Sequence, residues 1–223
     1  MSELLISVTS VEEAKLALIH GADIIDLKDP ASGALGALPL PIIQAVLALV
    51  DGKKPVSATI GDLAMQPGLI SPAVNALAAL KVDFIKIGFF PNDDYQAVLK
   101  DLYSIATSGI KLIAVLFAEH QYHPDLMTTL KKFGFIGVML DTAQKNGLSL
   151  FDNYTHKQCK DFAQQARRYD LSFGLAGSLK LEHIAQAKLL KPNYIGFRGG
   201  VCVNSQRQFG LDIQKLTAVR MAL

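Results

Sequence analysis

The chain has 223 residues, half of them hydrophobic and 19% charged, with 22 basic against 20 acidic side chains. That length suits one sizeable core in one domain over residues 1–223, and a net charge of +2 argues against the clustered basic face of a nucleic-acid reader. No apolar run reaches the ~18 residues a bilayer span needs, and MSELLISVTS lacks the basic start and cleavage site of a signal peptide, so a cytoplasmic globule is expected.

Short apolar runs alternate with amphipathic stretches along the whole chain. The first run, LLISVT from Leu4, gives way at Ser10 to S-V-E-E, where Glu13 takes the third helical position of a capping box. DIIDLK from Asp23 comes second, and the glycine-rich stretch DPASGALGALP straight after Lys28 reads as a mobile cover over the site or simply a wide turn, its position favouring the cover. VSATIGD from Val56 precedes Ser71-Pro72, a cap with a first-turn proline ahead of AVNALAAL. DFIKIGF from Asp83 and KLIAVLF from Lys111 are fourth and fifth, with Asn92 as the helix cap between them. GVMLDT from Gly137 is sixth and is followed by a cap at Thr155; LSFGLAG from Leu171 and YIGFRGG from Tyr194 complete eight.

Eight strand–helix repeats in this length predict an α/β fold, a single-domain (β/α)₈ TIM barrel, which usually takes about 250 residues. A doubly wound open sheet uses the same alternation and is the rival. The strand count and the placement of polar residues favour the barrel.

Parallel strands covered on both faces should read as unbroken apolar runs, and several here do not. Side chains alternate faces along a strand, so Ile25 and Leu27 suit the helix-covered exterior while Asp26 and Lys28 turn inward. The same alternation sends Lys86 inward from the fourth strand and Asp141 from the sixth, with Lys145 just beyond in the loop. Arg198 is predicted to face in from the eighth. Alternate strands feed one interior layer, so these charges can converge at the C-terminal mouth, where barrel enzymes place their chemistry. Structural ion pairs plugging the barrel are the bland alternative.

Two lysines held close together lose a proton more readily, and a neutral amine attacks a carbonyl to give a Schiff base. A neighbouring carboxylate, Asp26 or Asp141, can then move protons. Spacing alone does not say which lysine is the nucleophile. The seventh and eighth strands run into Gly177-Ser178 and Arg198-Gly199-Gly200, where barrels often bind phosphate, and Arg198 could add a fork-like contact. His120 and His123 form H-x-x-H without a nearby acidic ligand on a recognisable helix and read as a solvated loop. Cys159 and Cys202 form no CxxC, so no disulfide framework or metal cage is expected, and Cys202 reads as packing. No metal and no organic cofactor is implied, since an imine is itself the electron sink. The apolar helices AVLALV and AVNALAAL point to a homo-oligomer.

The blocks ADIIDLKDPASGALGA, VSATIGD, DFIKIGF, MLDTAQKNGLSLFD, LAGSLKLEHI and GFRGGVC, in that order, resemble the (5-formylfuran-3-yl)methyl phosphate synthase family of methanofuran biosynthesis. The resemblance runs from the first strand to the last. It implies a reaction that spacing cannot supply: two molecules of glyceraldehyde 3-phosphate condense, lose phosphate and water, and close to a phosphorylated furan aldehyde. It also implies that Lys28, preceded by Asp26, forms the imine, that Lys86 is the second essential lysine, and that Asp141 and Lys145 form an acid–lysine pair. Gly177, Ser178, Arg198, Gly199 and Gly200 would hold the retained phosphate. FAEHQYHPDLM after the fifth strand and NSQRQFG after Cys202 depart from the family pattern, although Arg207 and Gly210 fit. A class I Schiff-base aldolase on another sugar phosphate shares these residues. A non-catalytic barrel that binds a phosphorylated metabolite would be expected to have lost one of them.

Overall fold

Seventeen regular elements build the fold in the computed structural model, which describes residues 2–90, 95–144 and 146–223. In chain order they are β1 (Glu3–Val8), α1 (Val11–Ile19), β2 (Ile24–Leu27), α2 (Leu40–Val50), β3 (Val56–Thr59), α3 (Pro67–Ala79), β4 (Phe84–Gly88) and α4 (Gln96–Thr107). The second half continues with β5 (Leu112–Phe117), α5 (Leu126–Lys132), β6 (Gly137–Asp141), α6 (Leu150–Asn153), α7 (His156–Arg168), β7 (Ser172–Leu175), α8 (Ile184–Leu189), β8 (Tyr194–Phe197) and α9 (Ile213–Ala222). Each strand runs parallel to the next, and β8 returns to β1 with Glu3 opposite Tyr194 and Ile6 opposite Phe197. An open sheet cannot make that last pairing. The eight predicted runs are the eight staves of a closed (β/α)₈ barrel.

Strand alternation sorts the core into two layers. Ile25, Leu27, Ile85, Ile87, Val138, Leu140, Ile195 and Phe197 join the layer between strands and helices. Leu5, Ile24, Ile113, Val115, Met139 and Tyr194 fill the barrel itself. Each large aliphatic side chain sealed in the outer layer contributes about 1.5–3 kcal/mol by leaving water. The strands can therefore tolerate polar residues on the inner face near their C-terminal ends. No described helix is long and apolar enough to cross a membrane.

Local capping follows the sequence with two departures. The α7 cap forms a complete box, with Thr155 and Gln158 exchanging side chain and backbone. At α1 only half the box forms: the Glu13 amide donates to Ser10 at 3.2 Å, but the Glu13 carboxylate turns to the amide and hydroxyl of Thr9. The third helix starts at Pro67, not at Ser71-Pro72. Pro67 already takes the first-turn position that suits proline, and Pro72 lies inside the helix, where its missing N–H leaves one carbonyl a turn back without its usual donor. Asn92, expected to cap α4, lies outside the described residues.

Candidate active site

Asp26 sits at the centre of the interior charges. Its register partners are Ser7 on β1 and Ser57 on β3, so all three point into the barrel. The carboxylate accepts from Ser7 Oγ at 2.7 Å, from Ser57 Oγ at 2.6 Å and from Lys86 Nζ at 2.5 Å. Residue Asp26 is 0% exposed and Lys86 2%, so the pair is dry. Burial pushes the Asp26 carboxyl up, but the ammonium charges of Lys86 and then Lys28 outweigh it and hold the group below the usual carboxylate range. Burial lowers Lys86, Asp26 opposes that, Lys28 adds to it, and the net direction is down.

Lys28 lies on the same side of the barrel, with Nζ 3.6 Å from Asp141 Oδ2. The other carboxylate oxygen of Asp141 accepts from the Thr142 amide at 2.7 Å. Two lysine–aspartate pairs therefore face one another: Lys86 with Asp26, and Lys28 with Asp141. Chain proximity suggests Asp26 as the partner of Lys28, but its carboxylate lies against Lys86, which reaches it from β4 at 2.5 Å. Every described buried side-chain polar atom has a hydrogen-bond partner. Lys145 lies outside the described residues.

Above Lys28 and Asp141 opens a cavity of about 420 Å³ whose far wall is Gly177-Ser178 and Gly199-Gly200. Gly177 and Ser178 have φ of +94° and +51°, the left-handed region. A methyl group at Gly200 would lie 2.1 Å from the Leu179 carbonyl oxygen, so these two loops meet backbone to backbone. Gly199–Val201 form one 3₁₀ turn, and its opening amides find no acceptor within the turn.

Arg198 differs from its predicted setting. It lines the cavity, but its guanidinium is turned to the β1–α1 corner. Nη1 donates to Glu13 Oε2 at 2.5 Å and to the Ser7 carbonyl at 3.2 Å. Nε donates to the Arg207 carbonyl and Nη2 to that of Phe209, at 2.8 and 3.0 Å. This is the reason the α1 capping box is half made: Glu13 is the counter-ion of Arg198. A guanidinium engaged at all three nitrogens holds loops together and has little left for a fork on phosphate.

The side chains that hold the loops over the site escaped the sequence reading. The stretch after Lys28 folds as a cover: the Asp29 amide donates to the Gly36 carbonyl, and Leu35 is fully buried in the interior layer. Asp62 accepts from the amides of Ala34 and Leu35 at 2.6 and 2.7 Å. Arg207 donates to the carbonyls of Pro30 and Gly33 from the other side. Glu119 accepts from the amides of Ala143 and Gln144, both at 2.9 Å, and so pins the loop after β6. Asp62 and Glu119 each follow a barrel strand by two or three residues, which is a usable sequence signal. Cys202 donates to the Arg198 carbonyl, and burial pushes its thiol up to about 11.

A closed (β/α)₈ barrel with paired lysines and aspartates under its C-terminal loops has the build of a barrel enzyme. The family model described as 4-HFC-P synthase matches residues 4–220, and the chain belongs to that family. A (5-formylfuran-3-yl)methyl phosphate synthase of Methanococcus aeolicus is 37% identical over 225 residues, covering 95% of this chain and 94% of the relative. One from Methanocaldococcus jannaschii is 34% identical over 218 residues, 93% of each chain. Among solved structures, phosphoribosyl anthranilate isomerase from Thermus thermophilus superposes with a TM-score of 0.69 at 14% identity, covering 99% of this chain and 97% of its own. That likeness speaks for the fold alone.

Proposed function

We propose that this chain condenses two molecules of glyceraldehyde 3-phosphate into (5-formylfuran-3-yl)methyl phosphate through a Schiff base on Lys28. Family membership supports the synthase activity. The observation that carries the mechanism is the Lys28–Asp141 pair on the floor of a cavity whose wall is backbone-rich and glycine-lined. The ketone isomer of one triose phosphate loses its carbonyl oxygen as water on forming the imine, and loss of a carbon-bound proton then gives an enamine. That carbon attacks the aldehyde of the second triose phosphate. Elimination of one phosphate and ring closure with loss of two waters follow, and hydrolysis of the imine takes back the water lost on forming it, which leaves one inorganic phosphate and two waters per furan.

Each side chain then has a definite part. Lys28 is the nucleophile because it faces the open cavity, whereas Lys86 is sealed against Asp26. Asp141 is the carboxylate within reach of the Lys28 nitrogen and moves protons there; the resemblance to the family gives Lys145 a share in that role. Asp26 keeps Lys86 in place, and the Lys86 charge steers electron density toward the imine. Backbone amides of Gly177, Ser178, Gly199 and Gly200 hold the retained phosphate, with Arg198 as the brace behind them. Pure protein incubated with glyceraldehyde 3-phosphate should release phosphate and gain a near-ultraviolet furan absorption. Borohydride added during turnover should label Lys28 in a peptide map. Label on another lysine refutes that assignment, and an aldol product without furan absorption supports an ordinary class I aldolase.

A further inference from the structure

We propose that Arg207 binds the phosphate of the second triose phosphate, at the seam between two cavities; this rests on the condensation proposed above. A second opening of about 550 Å³ lies over the cover, lined by Pro30, Ala34, Asp62, Phe90, Ala143 and Arg207 among others. Pro30, Arg207 and Gln208 line both openings, so a molecule in the upper one borders the deeper cavity that holds Lys28. Arg207 is the one cation among the described residues that line the upper opening.

The hydrogen-bond inventory separates the two arginines. Arg198 uses all three nitrogens on protein acceptors, one of them a carboxylate. Arg207 uses only Nη2, on the carbonyls of Pro30 and Gly33. Its Nε and Nη1 carry three N–H donors with no acceptor among the described residues, a planar edge of the kind that grips phosphate at two points. The three carboxylates near it already serve other donors: Asp141 takes the Thr142 amide and pairs with Lys28, Asp62 takes the amides of Ala34 and Leu35, and Asp29 takes the Ala31 amide and the Ser32 hydroxyl.

Chemistry supplies the need. A condensation of two phosphorylated trioses brings two dianions into one mouth. The glycine-lined wall offers one of them neutral amides, and the other requires its own counter-charge or it will be repelled. An arginine standing where the two openings join meets that requirement. Its two bonds to the cover also place the second substrate's grip on the loop that follows Lys28.

The test separates the two substrates. Dihydroxyacetone phosphate, the ketone isomer, is held saturating while glyceraldehyde 3-phosphate is varied. Arg207→Met should raise the KM for glyceraldehyde 3-phosphate by about 10- to 100-fold, the worth of a charge-assisted contact. Borohydride trapping of dihydroxyacetone phosphate on Lys28 should persist in that variant, and Arg207→Lys should recover part of the KM. An unchanged KM, or trapping that falls in step with turnover, overturns the proposal and leaves Arg207 a strap for the cover. Failure of the unmodified protein to trap dihydroxyacetone phosphate or form furan refutes the condensation itself and takes this inference with it.

Discussion

A fully buried carboxylate with three donors is fixed by its neighbours, and Asp26 is such a group. Ser7, Ser57 and Lys86 share its two oxygens inside a space with no route for solvent. Its two hydroxyl contacts are worth about 1 kcal/mol each, whereas its ionic contact keeps a buried ammonium from standing alone. Ser57→Ala should therefore cost about 1 kcal/mol in urea unfolding, and Asp26→Asn about 3–5 kcal/mol, because the amide removes the counter-charge and leaves Lys86 in place. If the two variants cost the same, Lys86 is not held as an ion by Asp26. The division of labour between the lysines rests on this difference. Lys28 is paired at 3.6 Å and faces a cavity, while Lys86 is paired at 2.5 Å and is buried.

Loops, more than strands, decide what the mouth can bind. The turn at Gly199–Val201 approaches Leu179 so closely that a single methyl group at Gly200 would have to displace a carbonyl. Gly200→Ala should cost about 1–3 kcal/mol of stability as the two loops part, and inhibition by inorganic phosphate should weaken at least tenfold. A variant that keeps wild-type phosphate inhibition would remove this turn from the phosphate cradle. The sequence makes the strands legible because burial on both faces leaves an unmistakable apolar run, and a charge breaking that run can only face inward. Lys28, Lys86, Asp26 and Asp141 were readable on that ground alone. The loops give no such periodicity. Arg198 and Arg207 are nine residues apart on one excursion after β8, and which guanidinium braces and which stays open depends on Glu13, nearly two hundred residues earlier. The start of α3 is not legible for a local reason: two prolines five residues apart each suit a first turn, and the earlier start adds the buried Ile70 to the face already formed by Val74 and Leu77.

For the whole barrel, the interior charges set how stability responds to pH. Asp26 has a folded pKa below its ordinary 3.8, so its contribution is complete above that value and is lost as pH falls through the folded pKa. Lys86 has a folded pKa below its ordinary 10.5, so the unfolded chain binds the extra proton between the two values, and stability rises with pH across that interval. Both interior groups therefore favour the alkaline side. The buried thiols oppose them. Burial pushes Cys159 and Cys202 from 9.0 to about 11, so the unfolded chain sheds those protons first and stability falls as pH rises from 9.0 toward 11. Each thiol is worth on the order of 1–2 kcal/mol over that span. Urea unfolding across pH should thus show a loss below pH 4 and an alkaline limb above pH 9, with the optimum between them. Cys159→Ala with Cys202→Ala should flatten the alkaline limb and leave the acid one untouched, whereas Asp26→Asn should shrink the acid limb and leave the thiol-dependent loss above pH 9 in place. An alkaline limb that survives removal of both cysteines would trace the loss to some other group, and the buried thiols would then be packing groups whose ionisation does not govern the fold.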